Sequence, residues 1–267
     1  MATNLAHALH ESGQDIEAVF SRTMSSAKEL ATRVEATATD NLDDLPRDAD
    51  AYIIAVKDDA LPSVILQLTQ GRSECKFFHT AGSVPMSVFG EVAHHGVIYP
   101  MQTFSKERMV DFSRVPLFIE ANDNETLDQA RRIAESVSQK VYELTSEQRR
   151  QLHLAAVFAC NFSNHCYALA ENILANEGIP FDVMLPLVDE TAAKVHTISP
   201  LQAQTGPAIR YDETILNRQK EMLADDPLTQ QLYDLMSKSI HEHALTVNGK
   251  SVGTPLPSRG GAGVGSE

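Results

Sequence analysis

Hydrophobic positions in the first half of the chain follow two periods in alternation. Ile16 to Phe20, Ala51 to Val56, Cys75 to His79, Val97 to Tyr99 and Leu117 to Ile119 are short runs rich in β-branched and aromatic residues, mostly too apolar for strands with one wet face. Between them, apolar residues recur at helical spacing. Leu5, Ala6, Ala8 and Leu9 form one such stripe, closed by Gly13, and Ala27, Leu30, Ala31 and Val34 form another, where Ser26 and Glu29 have the spacing of a capping box. The alternation predicts parallel βαβ units and a sheet covered on both sides. From Ser146 the strand patterns stop. A helical pattern runs from Glu147 to Asn176 and is closed by Gly178 and Pro180, and further helices are predicted over Asp182 to His196, Tyr211 to Ala224 and Pro227 to His243. Beyond Leu245 Gly, Ser and Pro dominate, with hardly an apolar residue to bury. The pattern therefore predicts an α/β domain over 1–145, an all-helical domain over 146–245 and a disordered tail over 246–267.

Composition narrows the function classes. The chain has 267 residues, 43% of them hydrophobic, enough to fill two cores. A net charge of -14, with no local cluster of Lys or Arg, argues against a nucleic-acid partner. No apolar run is long enough to cross a bilayer and the first residues lack an export-signal pattern, so a cytoplasmic, non-membrane protein is expected. Cys75, Cys160 and Cys166 form no Cys-x-x-Cys pair. His94-His95 and His241-Glu242-His243 lack the i,i+4 spacing that puts two imidazoles on one ion, so no metal site is expected. No Gly-x-Ser-x-Gly elbow is present, which removes a serine-hydrolase reading.

The start of the chain carries candidate chemistry. In a Rossmann unit a first strand leads through Gly-x-Gly-x-x-Gly/Ala into a helix whose N-terminal amides meet a pyrophosphate. Here the sequence opens on the helix, and only the last motif position remains, as Ala2. About 20 residues further on, an acidic residue normally binds the ribose hydroxyls of NAD. Ser21-Arg22-Thr23 stands there instead, and a guanidinium with two hydroxyls suits a 2′-phosphate, which favours NADP; the alternative is a solvated loop arginine.

Ligands of open parallel sheets sit outside the carboxyl ends of the strands. Three such ends are polar. Lys57 and Asp58 would lie beside the cofactor, or else form a charged helix start. His79, Thr80 and Gly82 offer an imidazole, a hydroxyl and room for close approach. Gln102 and Thr103 follow the next strand. Within the long helical pattern His153, Cys160 and Asn164 fall on one line, with Asn161 and His165 adjacent. Either they line a substrate pocket in which His153 donates a proton, or they hydrogen-bond in a dimer core. Gln204-Thr205-Gly206-Pro207 with Arg210 predicts an anion site at a helix start, or a capped helix whose Arg210 pairs with Asp212. Glu190 and Lys194 have the spacing of a surface ion pair.

Several runs carry a resemblance: MATNLA from Met1, YIIAVKDD from Tyr52, HTAGSVPM from His79, GVIYPMQTFSK from Gly96, LHLAAVFACNFSNH from Leu152, PLVDETAAK from Pro186 and AQTGPAIR from Ala203. In these the chain resembles a family of Rossmann-like proteins with a C-terminal helical domain of unknown function, labelled NADP oxidoreductases. Pro100-Met101-Gln102-Thr103 is locally similar to a nicotinamide-site loop of pyrroline-carboxylate reductases. The resemblance implies a Rossmann domain, NADP as cofactor and a homodimer paired through the helical domains. It names no substrate. Family members open with the strand and glycine loop that precede the helix, so either a longer N-terminus or weakened cofactor binding is expected.

The expected function is hydride transfer between NADP and a small, anionic carbonyl or imine compound, in a cleft between the two domains. His79 or His153 would supply the proton; Ala2, Ser21, Arg22, Thr23, Lys57, Asp58, Thr80 and Gly82 would hold the cofactor; Gln102, Thr103, Asn161, Asn164 and Arg210 would hold the substrate. The rival reading is a non-catalytic, nucleotide-sensing or scaffold homodimer, and a deazaflavin-linked reductase ranks third.

Overall fold

A computed structural model describes residues 1–105 and 108–249. The chain divides into two compact units, Met1–Asn164 and His165–Glu267. In the first unit the elements are α1 (Ala2–Glu11), β1 (Ala18–Phe20), α2 (Met24–Arg33), β2 (Thr37–Thr39), β3 (Ala51–Ile54), α3 (Leu61–Leu68), β4 (Lys76–His79), β5 (His94–Pro100), β6 (Leu117–Ala121), α4 (Asn124–Val137), β7 (Val141–Glu143) and α5 (Ser146–Ala156). β1 and β2 pair with each other in a two-stranded parallel sheet, and the other five form a sheet in the order β3-β4-β5-β6-β7.

The five-stranded sheet is parallel except between β5 and β6. This departs from an all-parallel expectation, and the connection explains it. A parallel return needs a crossover, usually a helix. The segment from Met101 to Pro116 contains only a short 3-10 turn at Phe112–Arg114 among its described residues, and the Met101 amide bonds straight back to the Pro116 carbonyl at 3.0 Å.

Both faces of this sheet are covered. Phe78, Ile98, Leu117 and Ile119 pack with Leu5 and Leu9 of α1 and with Ala130, Ile133 and Ala134 of α4. On the opposite face Tyr52, Ile54 and Phe77 pack with Leu61, Ile65 and Leu68 of α3. Adjacent Phe77 and Phe78 thus point to opposite cores, and each fully buried ring contributes about 1.5–3 kcal/mol of hydrophobic stabilisation.

The start of α2 differs from the expected capping box. Its N-cap is Thr23, whose hydroxyl accepts from the Ser26 amide at 3.4 Å, so Ser26 and Glu29 lie inside the helix and Glu29 pairs with Arg33 instead.

A π-helical turn at Val157–Phe162 follows α5 and leads into α6 (Ser163–Asn176). The second unit continues with α7 (Leu185–Lys194), the short helices α8 (Pro200–Ala203) and α9 (Pro207–Arg210), α10 (Glu213–Glu221) and α11 (Pro227–Gly249). α11 passes Leu245, where sequence pattern placed the beginning of the unstructured tail. The rest of that tail, 250–267, lies outside the described residues.

Candidate functional site

The parallel register Ile54↔His79 and His79↔Val97 brings the ends of β3, β4 and β5 to one sheet edge. The loop after β4 is folded around His79. That imidazole is fully buried, stacks on Phe89 with centroids 5.6 Å apart, and accepts the Ala81 amide on Nδ1 at 3.1 Å. Burial first, and then the charge of Arg149, lower its pKa to about 4, against a weaker pull upward from the Pro85 carbonyl and Asp58. His79 is therefore a neutral ring inside its own loop at ordinary pH. Its proton has no surface through which to reach a ligand, and its contacts are those of a loop anchor. Thr80 is buried too, with its amide on the Ile54 carbonyl at 3.3 Å.

A buried ion pair fixes the other end of the loop. Arg149, in the fourth position after the Thr145 cap of a Thr145–Gln148 capping box, is 1% exposed and pairs with Glu120 of β6. Its Nη2 donates to the Val84 carbonyl at 2.6 Å. Ser146 completes the staple: its amide and hydroxyl each donate to the Glu120 carboxylate at 2.8 Å, and its hydroxyl accepts from the Met86 amide at 2.8 Å. Breaking such a pair from one side costs about 3–5 kcal/mol, because the other charge stays buried. Helical spacing could not reveal this. Arg149 and Arg150 are alike in sequence, yet Arg150 pairs with Glu147 on the surface.

The two anchors hold the middle of the loop against a second pair of side chains. Tyr99 Oη, at the end of β5, lies 3.2 Å from Nδ1 of His153 on α5. Tyr99 is 9% exposed, and burial holds its phenol above the ordinary pKa. Gly82 leaves room for both rings: a Cβ there would sit 2.7 Å from His153 Nδ1 and 2.7 Å from Tyr99 Cζ. Met86, Met101, Leu144 and Leu152 pack around Val97, Tyr99 and Phe118, giving this edge an apolar wall. Tyr99 was hidden in the sequence as the last residue of an apolar strand; its place at the carboxyl end of β5 was the available signal. Ser83 hydrogen-bonds Asp58, which ties the loop to the turn after β3.

Asp58, Thr80, Gly82 and His153 thus converge with His79 at one edge. Lys57 is exposed beside Asp58, and Gln102 and Thr103 are exposed after β5, with the Gln102 amide oxygen accepting the Thr103 N–H at 2.8 Å. Ser21, Arg22 and Thr23 lie at the end of β1 and the start of α2, where Arg22 is exposed and makes no ion pair or hydrogen bond to the described residues. α1, beginning at Ala2, has no side-chain cap on its first amides. Asn161 and Asn164 are exposed, and the π-helical turn between α5 and α6 breaks the straight-helix line expected to join Asn164 to His153. In the second unit Arg210 is exposed at the end of α9, while Asp212, its expected partner, caps α10 by accepting from the Ile215 amide at 3.3 Å. Glu190 and Lys194 form the expected exposed pair at 3.8 Å. Among the described residues no cluster of three His, Cys, Asp or Glu could hold a metal, and no helix is long and apolar enough to cross a membrane.

Two family descriptions match this architecture: NADP oxidoreductase coenzyme F420-dependent over residues 1–77, and domain of unknown function DUF2520 over residues 115–240. The crystal structure of a "putative NADP oxidoreductase" from Bacteroides fragilis is 54% identical, covers 90% of this chain and 94% of its own, and superposes with a TM-score of 0.86. An imine reductase from Myxococcus stipitatus in complex with NADP+ is 17% identical, with coverage of 92% and 91% and a TM-score of 0.64. A pyrroline-5-carboxylate reductase from Coxiella burnetii is 17% identical, with coverage of 92% and 94% and a TM-score of 0.56. These last two show a shared fold. No curated protein sequence matches the chain.

Proposed function

The chain belongs to the family of NADP oxidoreductases represented by the Bacteroides fragilis protein, and on that premise we propose that it moves a hydride between NADP and a small carbonyl or imine compound. The observation that carries this reading is the Tyr99–His153 hydrogen bond, held under Gly82 at the edge of a Rossmann-type sheet where ligands of such folds bind.

The residues present suit the cofactor. Arg22, which pairs with no acid among the described residues, and the hydroxyls of Ser21 and Thr23 match the phosphorylated ribose. The uncapped amides of α1 match a pyrophosphate, with Lys57 as a further cation. When bound, NADPH supplies the hydride.

The chain's own part is to position and to move a proton. His153, partly exposed and with no partner on Nε2 among the described residues, gives the proton that accompanies reduction. His79 and Arg149 keep the loop in place. Gln102, Thr103, Asn161 and Asn164 orient the substrate. That the imine reductase and the pyrroline-carboxylate reductase share the fold supports a substrate with a C=N or C=O bond. The reading includes a homodimer and a cytoplasmic setting, in keeping with three unpaired cysteines.

Titration with NADPH and NADH, followed by nicotinamide fluorescence, tests it. NADPH is expected to bind more tightly, and Arg22→Ala to weaken NADPH by about 10- to 100-fold while leaving NADH unchanged, as the loss of charge-assisted bonds requires. Equal affinity for both nucleotides would remove the NADP preference, and binding of neither would remove the enzyme reading and leave the scaffold dimer.

A further inference from the structure

We propose that Tyr99 is the positioning residue for His153: its hydroxyl donates to Nδ1 and keeps the imidazole proton on Nε2, while the missing Cβ at Gly82 leaves both rings room for that arrangement. The inference rests on His153 as the proton donor and adds the group that decides which of its nitrogens is armed.

The geometry admits two directions for the bond, Tyr99 O–H to Nδ1 or Nδ1–H to Tyr99 Oη. Chemistry selects the first. A phenol is a stronger donor than a neutral imidazole N–H, and an imidazole nitrogen is a stronger acceptor than a phenol oxygen. Burial of Tyr99 keeps its proton in place, and the cation that would draw it off, Arg149, is committed to Glu120. With Nδ1 occupied as an acceptor, the single proton of the neutral ring resides on Nε2, which has no partner among the described residues. The rings meet edge to face, with centroids 6.1 Å apart and planes at 67°, an approach that a side chain at position 82 would block.

Gly82 leaves the two rings that room, and its position follows from α5. Ser146, Arg149 and His153 share one face of that helix. The first two grip the loop at Met86 and Val84, and the third meets it at Gly82. The loop is therefore registered against His153 by the helix that carries it.

Two-bond proton–nitrogen correlation spectra of the full chain with labelled histidines read the tautomer directly, with His153→Gln to assign the signal. In the wild type at mildly alkaline pH, His153 is expected as the pure Nε2–H form. Tyr99→Phe keeps the ring and removes the hydroxyl, so the Nδ1–H form should appear. Gly82→Ala keeps the hydroxyl and displaces the rings, and should give the same mixture. NADPH affinity of Tyr99→Phe should equal that of the wild type. A wild-type mixture or an Nδ1–H signal would overturn the proposal without any variant having to fold. So would a Tyr99→Phe spectrum identical to the wild type, or a folded Tyr99→Phe that has lost NADPH binding. The tautomer is read in the free protein, so failure of the wild type to bind NADPH would strike the reading of the function and leave the tautomer result standing.

Discussion

His79 and His153 are imidazoles at one sheet edge, and burial separates their chemistry. His153 is partly exposed and shares a bond with Tyr99, whereas His79 has no surface and stays neutral until the pH falls to about 4. An ordinary histidine in the unfolded chain titrates near 6.5. Between those values the unfolded chain binds a proton that the folded chain refuses, so stability is fully present above about 6.5 and declines as the pH drops toward 4, by about 3 kcal/mol in all. Urea unfolding at a series of pH values should show this decline. His79→Asn retains an acceptor near the Ala81 amide and removes the titration, so its stability should be nearly flat across the same window; an equal slope in the variant would mean the acid loss arises elsewhere. Asp123 acts at lower pH. Burial tends to raise its pKa, but the amide and hydroxyl of Thr126 and the ring of His94 outweigh that and hold it at about 2.

At the scale of elements, the antiparallel contact between β5 and β6 supports the site. Gly96 of β5 faces Ala121 of β6 so closely that a Cβ would lie 2.4 Å from the Glu120 carbonyl oxygen. That obstacle is backbone. Gly96→Ala must separate the strands, and because Glu120 also holds Arg149, the loop over Tyr99 and His153 should loosen with them. A loss of about 1–3 kcal/mol is expected by denaturant titration, with the His153 tautomer signal perturbed at a site that Gly96 does not touch. Unchanged stability would show the two strands to be more compliant than their packing suggests. The sequence made β3 to β6 legible because each is an apolar run buried on both faces. β2 was not: Thr37-Ala38-Thr39 has no such run and owes its pairing to β1 alone. The direction of β6 was equally hidden, since apolar pattern carries no sign. In the site, Gly82 and His153 were legible by residue type. Tyr99 and Arg149 were not, because their roles depend on partners 54 and 29 residues away.

For the whole molecule, the helical unit poses a problem that a single chain does not solve. Neither α6 nor α7 has a buried residue. Ile173 of α6 and Leu185 and Leu187 of α7 are 45%, 48% and 59% exposed, on helices whose remaining stability must come from packing. A second copy of the chain is the partner that a closed, isologous contact would supply, because each copy presents the same apolar stripe. Sedimentation velocity should then show a dimer at micromolar concentration, with a thermal midpoint that rises as protein concentration rises. Leu187→Glu introduces its charge twice in such a contact, once from each copy, so it should weaken association at least about tenfold, while the same change at an outlying exposed apolar site such as Leu66 of α3 should leave it unaltered. A wild type that stays monomeric at high concentration, with a midpoint independent of concentration, would mean that these helices are covered by something other than a second copy.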